Sequence, residues 1–228
     1  MGKGRQIMII GASEGLGLEF SQLAAADAGE LFLVGSQEDQ LIATESQLKS
    51  LGARSTRMIV GPLKEPHQGE RIYEEWMMHN FLGETSTPLD TLINVTAFGD
   101  WEGDPWEMES PDPSLHMENL LTLNMLFARE MVKQRHGRIL NVLYHPPIYD
   151  PYLQSMFHAT RETLLEYAVT LSQQLAHTEV YVNTLVASEQ SFMLQAERLP
   201  ANVAPDMAPP TCSARDLAGY GYQVLRAS

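Results

Sequence analysis

A glycine-rich turn near the start of the chain has the residue types and spacing of a phosphate-binding site. Three glycines, Gly11, Gly15 and Gly17, stand between an apolar run at 6–10 and a stretch with helical spacing. The first allows a tight turn, the second lets the backbone approach a pyrophosphate, and the third permits close helix–strand packing. The N–H groups that open the helix would face the phosphates. The pattern predicts dinucleotide contacts from Gly11, Ser13, Glu14, Gly15, Leu16 and Gly17.

Four motifs in chain order resemble those of the short-chain dehydrogenase/reductase family. They are the G-x-x-x-G-x-G turn, Leu92-Ile93-Asn94-Val95-Thr96-Ala97 (family L-V-N-N-A-G), the R-H-G-R-I segment at 135–139 with Asn141, and Val-Asn at 182–183. The resemblance covers nearly the whole chain. It implies a Rossmann fold, an NAD(P) site to which Asn94 and Thr96 belong, and hydride transfer between a nicotinamide and a carbonyl or alcohol.

The resemblance also implies a catalytic set, and this chain replaces it. In the family a tyrosine acts as general acid/base, a lysine four residues later lowers its pKa, and a serine orients the substrate oxygen. Counting from Gly137 puts Tyr144 at the serine position, Phe157 at the tyrosine position and Arg161 at the lysine position. Phe157 has no exchangeable proton, and no tyrosine in the chain is followed four residues later by lysine. The resemblance therefore implies an oxidoreductase fold that is catalytically impaired or noncatalytic.

Tyr144 keeps an alternative open. It supplies a phenol at the end of predicted strand five, where sheets of this kind bind ligands, and Arg161 could lower its pKa, with His145 or His158 assisting. The alternative is an active NAD-dependent oxidoreductase whose acid/base has moved to Tyr144. A non-redox enzyme, such as the halohydrin dehalogenases of this superfamily, ranks last because only Arg161 of their catalytic set is present.

The family's helper asparagine, which anchors a water in the proton relay, has two candidate positions. Counting forward from Asn94 reaches Asn119, in an x-N-L setting that resembles the family. Counting back from Gly137 without gaps reaches His116 instead. We take Asn119 as the candidate.

The expected ribose site carries no clear cofactor signature. After predicted strand two, an acid would bind the ribose diol of NAD and an arginine the extra phosphate of NADP. The chain reads Gly35-Ser36-Gln37 there, and Ser36 is the expected contact. Glu14 in the glycine turn would repel a 2′-phosphate. The sequence thus disfavours NADP, leaves NAD open and also allows a protein that binds no nucleotide.

An alternating α/β chain is needed to position these residues, and the hydropathy pattern predicts one. Predicted strands occupy 6–10, 31–34, 57–60, 91–95, 138–143 and 180–186, and predicted helices occupy 15–28, 38–50, 70–82, 115–134, 155–176 and 214–225. With no linker or break in composition, residues 1–228 are expected to form one doubly wound parallel sheet in three layers, α/β/α. The stretch 188–210 is expected to be an irregular flap. The seventh strand that the family resemblance implies after the last helix is not recognisable in the sequence.

Composition narrows the classes of partner. The net charge of −14 argues against nucleic acid, because phosphate neutralisation needs clustered Lys and Arg. Cys212 is the only cysteine, which excludes an intramolecular disulfide and a cysteine-based metal site, and no metal is expected. The apolar run at 7–10 is too short for a signal peptide or membrane span. A cytoplasmic protein without membrane contact is expected.

Apolar residues of a loop and of the flap suggest a small apolar or aromatic ligand. They are Phe98, Trp101, Trp106, Phe192, Met193 and Leu194. The tryptophans would equally suit a partner-binding patch. A homodimer through helices 115–134 and 155–176 is also expected, on a face with Met156, Ala159, Leu164 and Tyr167, although the same face could be covered within one chain.

Overall fold

The computed structural model describes residues 5–82, 87–97, 113–145, 151–188, 192–196 and 213–227. The strands in these ranges are β1 Arg5–Ile10, β2 Ala28–Gly35, β3 Thr56–Val60, β4 Leu89–Ala97, β5 Gly137–His145, β6 Val180–Ser188 and β7 Phe192–Ala196. The helices are α1 Gly15–Ala25, α2 Glu38–Ser50, α3 Gln68–Leu82, α4 Pro113–Gln134, α5 Pro151–Gln174 and α6 Ala214–Ala227. Strands and helices alternate through α5 and β6, as the hydropathy pattern predicts.

The strands form one sheet in the order β3-β2-β1-β4-β5-β6-β7. Strands β1 to β6 are parallel to their neighbours, so the predicted doubly wound parallel sheet is confirmed. The order reverses between β1 and β4, and the crevice outside the carboxyl ends of the strands at such a switch point is where open α/β sheets bind ligands. The glycine turn directly follows β1 and therefore lies at this point.

Strand β7 corrects the expectation that the stretch 188–210 is irregular throughout. Phe192–Ala196 turns back and pairs antiparallel with residues 183–187 of β6. The pairing satisfies main-chain N–H and C=O groups that β6 would otherwise leave open along its edge. Five residues are too few for a period-two pattern to stand out, so the strand is visible only once β6 is in place. The rest of the expected flap, 189–191 and 197–210, lies outside the described residues.

Helices cover both faces of the sheet, which confirms the three-layer prediction. On one face, α1, α2 and α6 bury Phe20, Leu41 and Leu217 in a shared apolar cluster with the sheet. On the other face, α3 and α4 bury Trp76 and Phe127 in a second cluster, to which α5 also contributes. None of the described helices combines the length and the apolar character needed to cross a membrane.

Candidate functional site

The glycine turn has the backbone geometry that the sequence predicts. Gly11 (φ 76°) and Gly15 (φ 48°) adopt left-handed conformations, which favour glycine. A Cβ atom at Gly17 would overlap the carbonyl oxygen of Gly11, so the third glycine is required by the close approach of helix and turn. Glu14, the N-cap of α1, makes no side-chain capping hydrogen bond. It therefore does not compete with an anion for the N–H groups of the first turn.

The turn is held against α2 by side chains on both elements. The Ser13 hydroxyl donates to Gln40 Oε1 at 3.2 Å. The Thr44 hydroxyl donates to the carbonyl oxygen of Ser13 at 3.4 Å. The predicted ligand contact of Ser13 would therefore come from its main chain, because its hydroxyl already has a partner.

The corner where a nucleotide ribose would lie is exposed and acidic. Ser36 and Glu14 are both exposed. The first turn of α2 adds Glu38 and Asp39, also exposed, and no basic residue occurs between Gly35 and Gln40. These three carboxylates make this corner of the surface negatively charged.

Asn94 belongs to a buried triad of asparagines beneath the carboxyl ends of β4 and β5. Its Nδ2 donates to Asn124 Oδ1 and to Asn141 Oδ1, both at 2.9 Å, and Asn124 Nδ2 donates to Asn141 Oδ1 at 3.0 Å. All three side chains have no exposed surface. The amide of Asn94 thus points into the protein, and the triad ties α4 to both strands. Thr96, two residues on, is buried as well.

Sequence reasoning named Asn141 only as part of a family motif, and it did not name Asn124. Each stands inside an apolar run, Leu-Asn-Met-Leu in α4 and Leu-Asn-Val-Leu in β5. A polar amide in such a run signals a buried hydrogen-bonded group.

Phe157 packs among apolar side chains at the place where the family resemblance puts its acid/base. Its side chain is 4% exposed and packs in a cluster with Met117, Leu120, Leu143 and Leu164. Its ring also makes an edge contact with the imidazole of His158, with centroids 5.8 Å apart. The position offers neither a proton nor the polar surroundings that a charged acid/base would need.

Tyr144 and Phe157 lie on opposite faces of the sheet. Tyr144 packs against the cluster that contains Val142, on the side covered by α1 and α6. Leu143 points the other way and joins the cluster of Phe157. Successive strand residues face opposite sides, so Tyr144 is also on the far side from α5, which carries Arg161. Arg161 Nε lies 3.7 Å from Glu162 Oε1. The structure therefore does not bring the predicted Tyr144–Arg161 pair together.

Asn119, the predicted helper, is buried and fully engaged in holding the connection between β3 and α3. Its Nδ2 donates to the carbonyl oxygens of Leu63 and Glu65, both at 2.7 Å, and its Oδ1 accepts from Gly69 N at 2.8 Å. Both amide protons are used by main-chain groups. The geometry favours a structural role for Asn119.

His116, the residue reached by the count without gaps, is held quite differently. Its Nε2 is buried and has no hydrogen-bond partner, while Asn119 three residues later makes three bonds. Burial lowers the pKa of the imidazole to about 4. The side chain is therefore neutral at physiological pH and keeps an unused hydrogen-bonding nitrogen.

Several residues that the sequence analysis names fall, wholly or in their side chains, outside the described part of the structure. Phe98, Trp101 and Trp106 and the residue Cys212 lie outside the described residues, and so do the side chains of His145 and of 192–194. Within the described ranges no group of three or more His, Cys, Asp or Glu side chains is arranged to hold a metal ion.

One protein family matches most of the chain. The family model described as short chain dehydrogenase matches residues 5–196. Over 215 residues the chain is 21% identical to a peroxisomal hydratase-dehydrogenase-epimerase of Neurospora crassa, covering 91% of this chain and 23% of that protein. It is 23% identical over 214 residues to a very-long-chain 3-oxoacyl-CoA reductase of Pyricularia oryzae, covering 89% and 61%. The chain thus spans less than two thirds of these curated relatives.

Solved structures share the fold at low sequence identity. A metagenomic short-chain oxidoreductase in complex with NADP superposes with a TM-score of 0.73 at 15% identity, covering 99% of this chain and 92% of that one. YwfH, an NADPH dependent reductase involved in bacilysin biosynthesis, gives 0.72 at 17% identity, covering 97% and 92%.

Proposed function

The chain belongs to the short chain dehydrogenase family, and we propose that it is a member that keeps the nucleotide-binding fold and has lost the family's proton transfer. The observation that carries the proposal is Phe157, which is buried among apolar side chains at the expected acid/base position. A benzyl ring cannot donate or accept a proton. General acid–base catalysis typically contributes about 10²- to 10⁴-fold in rate, so its loss leaves little turnover.

A relocated acid/base at Tyr144 is less well supported. The phenol packs toward α1 and α6, whereas Arg161, the proposed activating cation, lies on α5 beside Glu162. No contact among the described residues supports the alternative of a non-redox enzyme.

The nucleotide in this proposal is NAD. The turn at Gly11, Gly15 and Gly17 supports a bound pyrophosphate. The acidic corner formed by Glu14 with Glu38 and Asp39 supports NAD over NADP. Two similar structures carry NADP or depend on NADPH, so cofactor preference is the point on which this chain would differ from them.

A cytoplasmic homodimer completes the proposal. An apolar groove of about 560 Å³ runs along the outer surface between α4 and α5, and Met125, Ala159 and Tyr167 line it. Of the face expected from the sequence, Leu164 is instead buried within the chain. The groove supports a second copy packing on these two helices.

Calorimetric titration with NAD and NADP, followed by a turnover assay, tests the proposal. We expect NAD to bind more tightly than NADP. We also expect NADH oxidation with simple ketones such as cyclohexanone to stay at the buffer background, both for the wild type and for Tyr144→Phe. Circular dichroism of the variant checks its fold.

Two results would overturn this account. A rate well above background that Tyr144→Phe abolishes would establish the relocated acid/base. A rate that survives that change would show that another group transfers the proton. No NAD binding at millimolar ligand would remove the nucleotide from the proposal and every redox alternative with it.

A further inference from the structure

We infer that two copies of this chain recognise each other through ion pairs between Glu118 of one copy and Arg129 of the other, and that these pairs set an antiparallel register of α4 against α4 across a two-fold axis. The inference rests on the proposed function, in which a second copy packs on α4 and α5. It names the contacts that select this copy as the partner and fix its orientation.

Four residues of α4 form one outward stripe. Glu118, Thr122, Met125 and Arg129 follow one another at intervals of four, three and four residues, which places them on one face of the helix. Both charged residues and Met125 are exposed in the single chain, and Thr122 is half-buried. Met125 lines the groove against α5 together with Glu118, and it lines the adjacent groove together with Arg129. The stripe therefore runs across both grooves, with an acid at its start and a base at its end.

This order of charges is complementary to a second copy of the same helix turned by 180°. In a two-fold contact, residues that meet are equally far from the axis, and each contact occurs twice. The midpoint between Glu118 and Arg129 is also the midpoint between Thr122 and Met125. An axis through that point sets acid opposite base at both ends. The ends are about 16 Å apart along the helix, so the two ion pairs flank a centre made by methionine and threonine methyl groups.

The two charged groups at the ends of the stripe are available to a partner. Among the described residues, neither Glu118 nor Arg129 forms an ion pair. The acid next to Arg129 in the chain is already engaged: Glu130 Oε1 lies 2.6 Å from Lys133 Nζ and accepts from the Tyr73 hydroxyl at 2.9 Å. Copies with a net charge of −14 repel one another. An arginine left for an acid of the partner offsets that repulsion in one orientation of the two copies.

Charge reversal tests the register, since deleting one exposed ion pair costs little. Glu118→Arg or Arg129→Glu alone sets like charges against each other at both ends of the stripe. We expect either variant to weaken the dimer by about 10-fold or more, measured by light scattering coupled to size exclusion over a dilution series. The double variant should recover the wild-type affinity to within about 3-fold, because its charges are again opposite.

Mixing the two single variants gives a readout that a general loss of structure cannot produce. One variant then carries two bases on the stripe and the other carries two acids. Only the heterodimer has opposite charges at both ends. With one variant labelled with ¹⁵N, native mass spectrometry of an equal mixture should show the heterodimer in excess of its statistical share.

Two matched controls change the net charge by the same amounts elsewhere. Glu75→Arg on α3 and Arg54→Glu, between α2 and β3, alter exposed residues and should leave the dimer unchanged. Because Glu118→Arg makes the chain less acidic, a decrease in general repulsion alone would strengthen association, which is the opposite of the expected result. Circular dichroism checks that each variant keeps its fold.

The inference is overturned if the wild type is a dimer and either reversal leaves its affinity unchanged, if the double variant is not restored, or if the mixture shows no excess of heterodimer. Those results would mean that the copies meet in another register. A monomeric wild type would overturn the proposed dimer together with this inference. Failure of the proposed nucleotide binding or of the proposed loss of proton transfer shows separately, in the calorimetric and kinetic assays.

Discussion

At the residue scale, Asn119 is a polar side chain that the family resemblance suggests as a catalytic helper, but its hydrogen bonds stabilise the fold. Its three hydrogen bonds all go to main-chain groups of the segment from Leu63 to Gly69. Such a segment has little regular structure of its own, so the amide replaces the main-chain partners that a helix or strand would provide. Removing the amide would leave buried N–H and C=O groups unpaired.

We therefore expect Asn119→Ala to lower the free energy of unfolding by about 2–4 kcal/mol, because buried main-chain groups lose their partners. Urea denaturation measures the change. Glu118→Ala, an exposed neighbour on α4, is the control and should be nearly neutral. NAD affinity per folded molecule should be unchanged in both. Unchanged stability with lost NAD binding would instead support the helper role expected from the family resemblance.

The sequence predicts residues well where the relation between them is local. The glycine spacing predicts the turn. Counting from Gly137 predicts that Phe157 stands at the acid/base position, and Phe157 packs among apolar side chains. The choice between Asn119 and His116 depends on the length of the intervening loop, which one sequence cannot settle. The triad of Asn94, Asn124 and Asn141 depends on how α4 sits on the sheet, and no local pattern encodes that register.

At the scale of elements, helix α6 contains two glycines with different surroundings, one in open space and one in close packing. Gly219 and Gly221 lie two residues apart in it. A Cβ atom at 219 would meet nothing within 4 Å, whereas one at 221 would lie 2.9 Å from Phe20 Cζ and 3.1 Å from Leu140 Cδ2. Gly221 thus permits the close packing of α6 on α1 and on the sheet, and Gly219 makes no such contribution.

Alanine at these two positions should act in opposite directions. Gly219→Ala should stabilise the protein by about 0.5–1 kcal/mol, since alanine restricts the unfolded chain and favours helix. Gly221→Ala should destabilise it by about 1–3 kcal/mol through overpacking. Thermal unfolding of the matched pair measures both. Equal effects from the two substitutions would mean that α6 does not pack on Phe20 as described.

The elements themselves were largely predictable, and their ends were not. The predicted helix at 15–28 ends at Ala25, because residues from Ala28 onward join β2 and pair with β1. That boundary is set by a neighbouring strand, which the local sequence does not specify. Strand β7 was missed for a related reason, since it exists through its pairing with β6.

At the scale of the whole molecule, the outer surface of α4 and α5 carries apolar grooves. Met125 lines two adjacent grooves there, one against α5 and one that also includes Tyr73 of α3 and Val132. Met125 and Val132 are exposed in the single chain. The chain carries a net charge of −14, which opposes association between copies. An apolar surface of this kind favours association and supports the proposed contact between copies.

Met125→Glu should convert the proposed dimer to a monomer, weakening association by about 100-fold or more, because a charge would be buried without a partner. Light scattering coupled to size exclusion measures the mass. Met78→Glu, an exposed methionine on α3, is the control and should leave the mass unchanged. A monomeric wild type, or a dimer that persists in Met125→Glu, would contradict the proposed interface.

The sheet that stands between Tyr144 and Phe157 also bears on how the chain could regain a proton donor. Phe157→Tyr alone would bring a hydroxyl into an apolar cluster, with no serine facing it and with Arg161 in place of the lysine. Under the proposed function, reversal by this one substitution would therefore bury a hydroxyl among apolar side chains without restoring the serine and lysine that the family pairs with it.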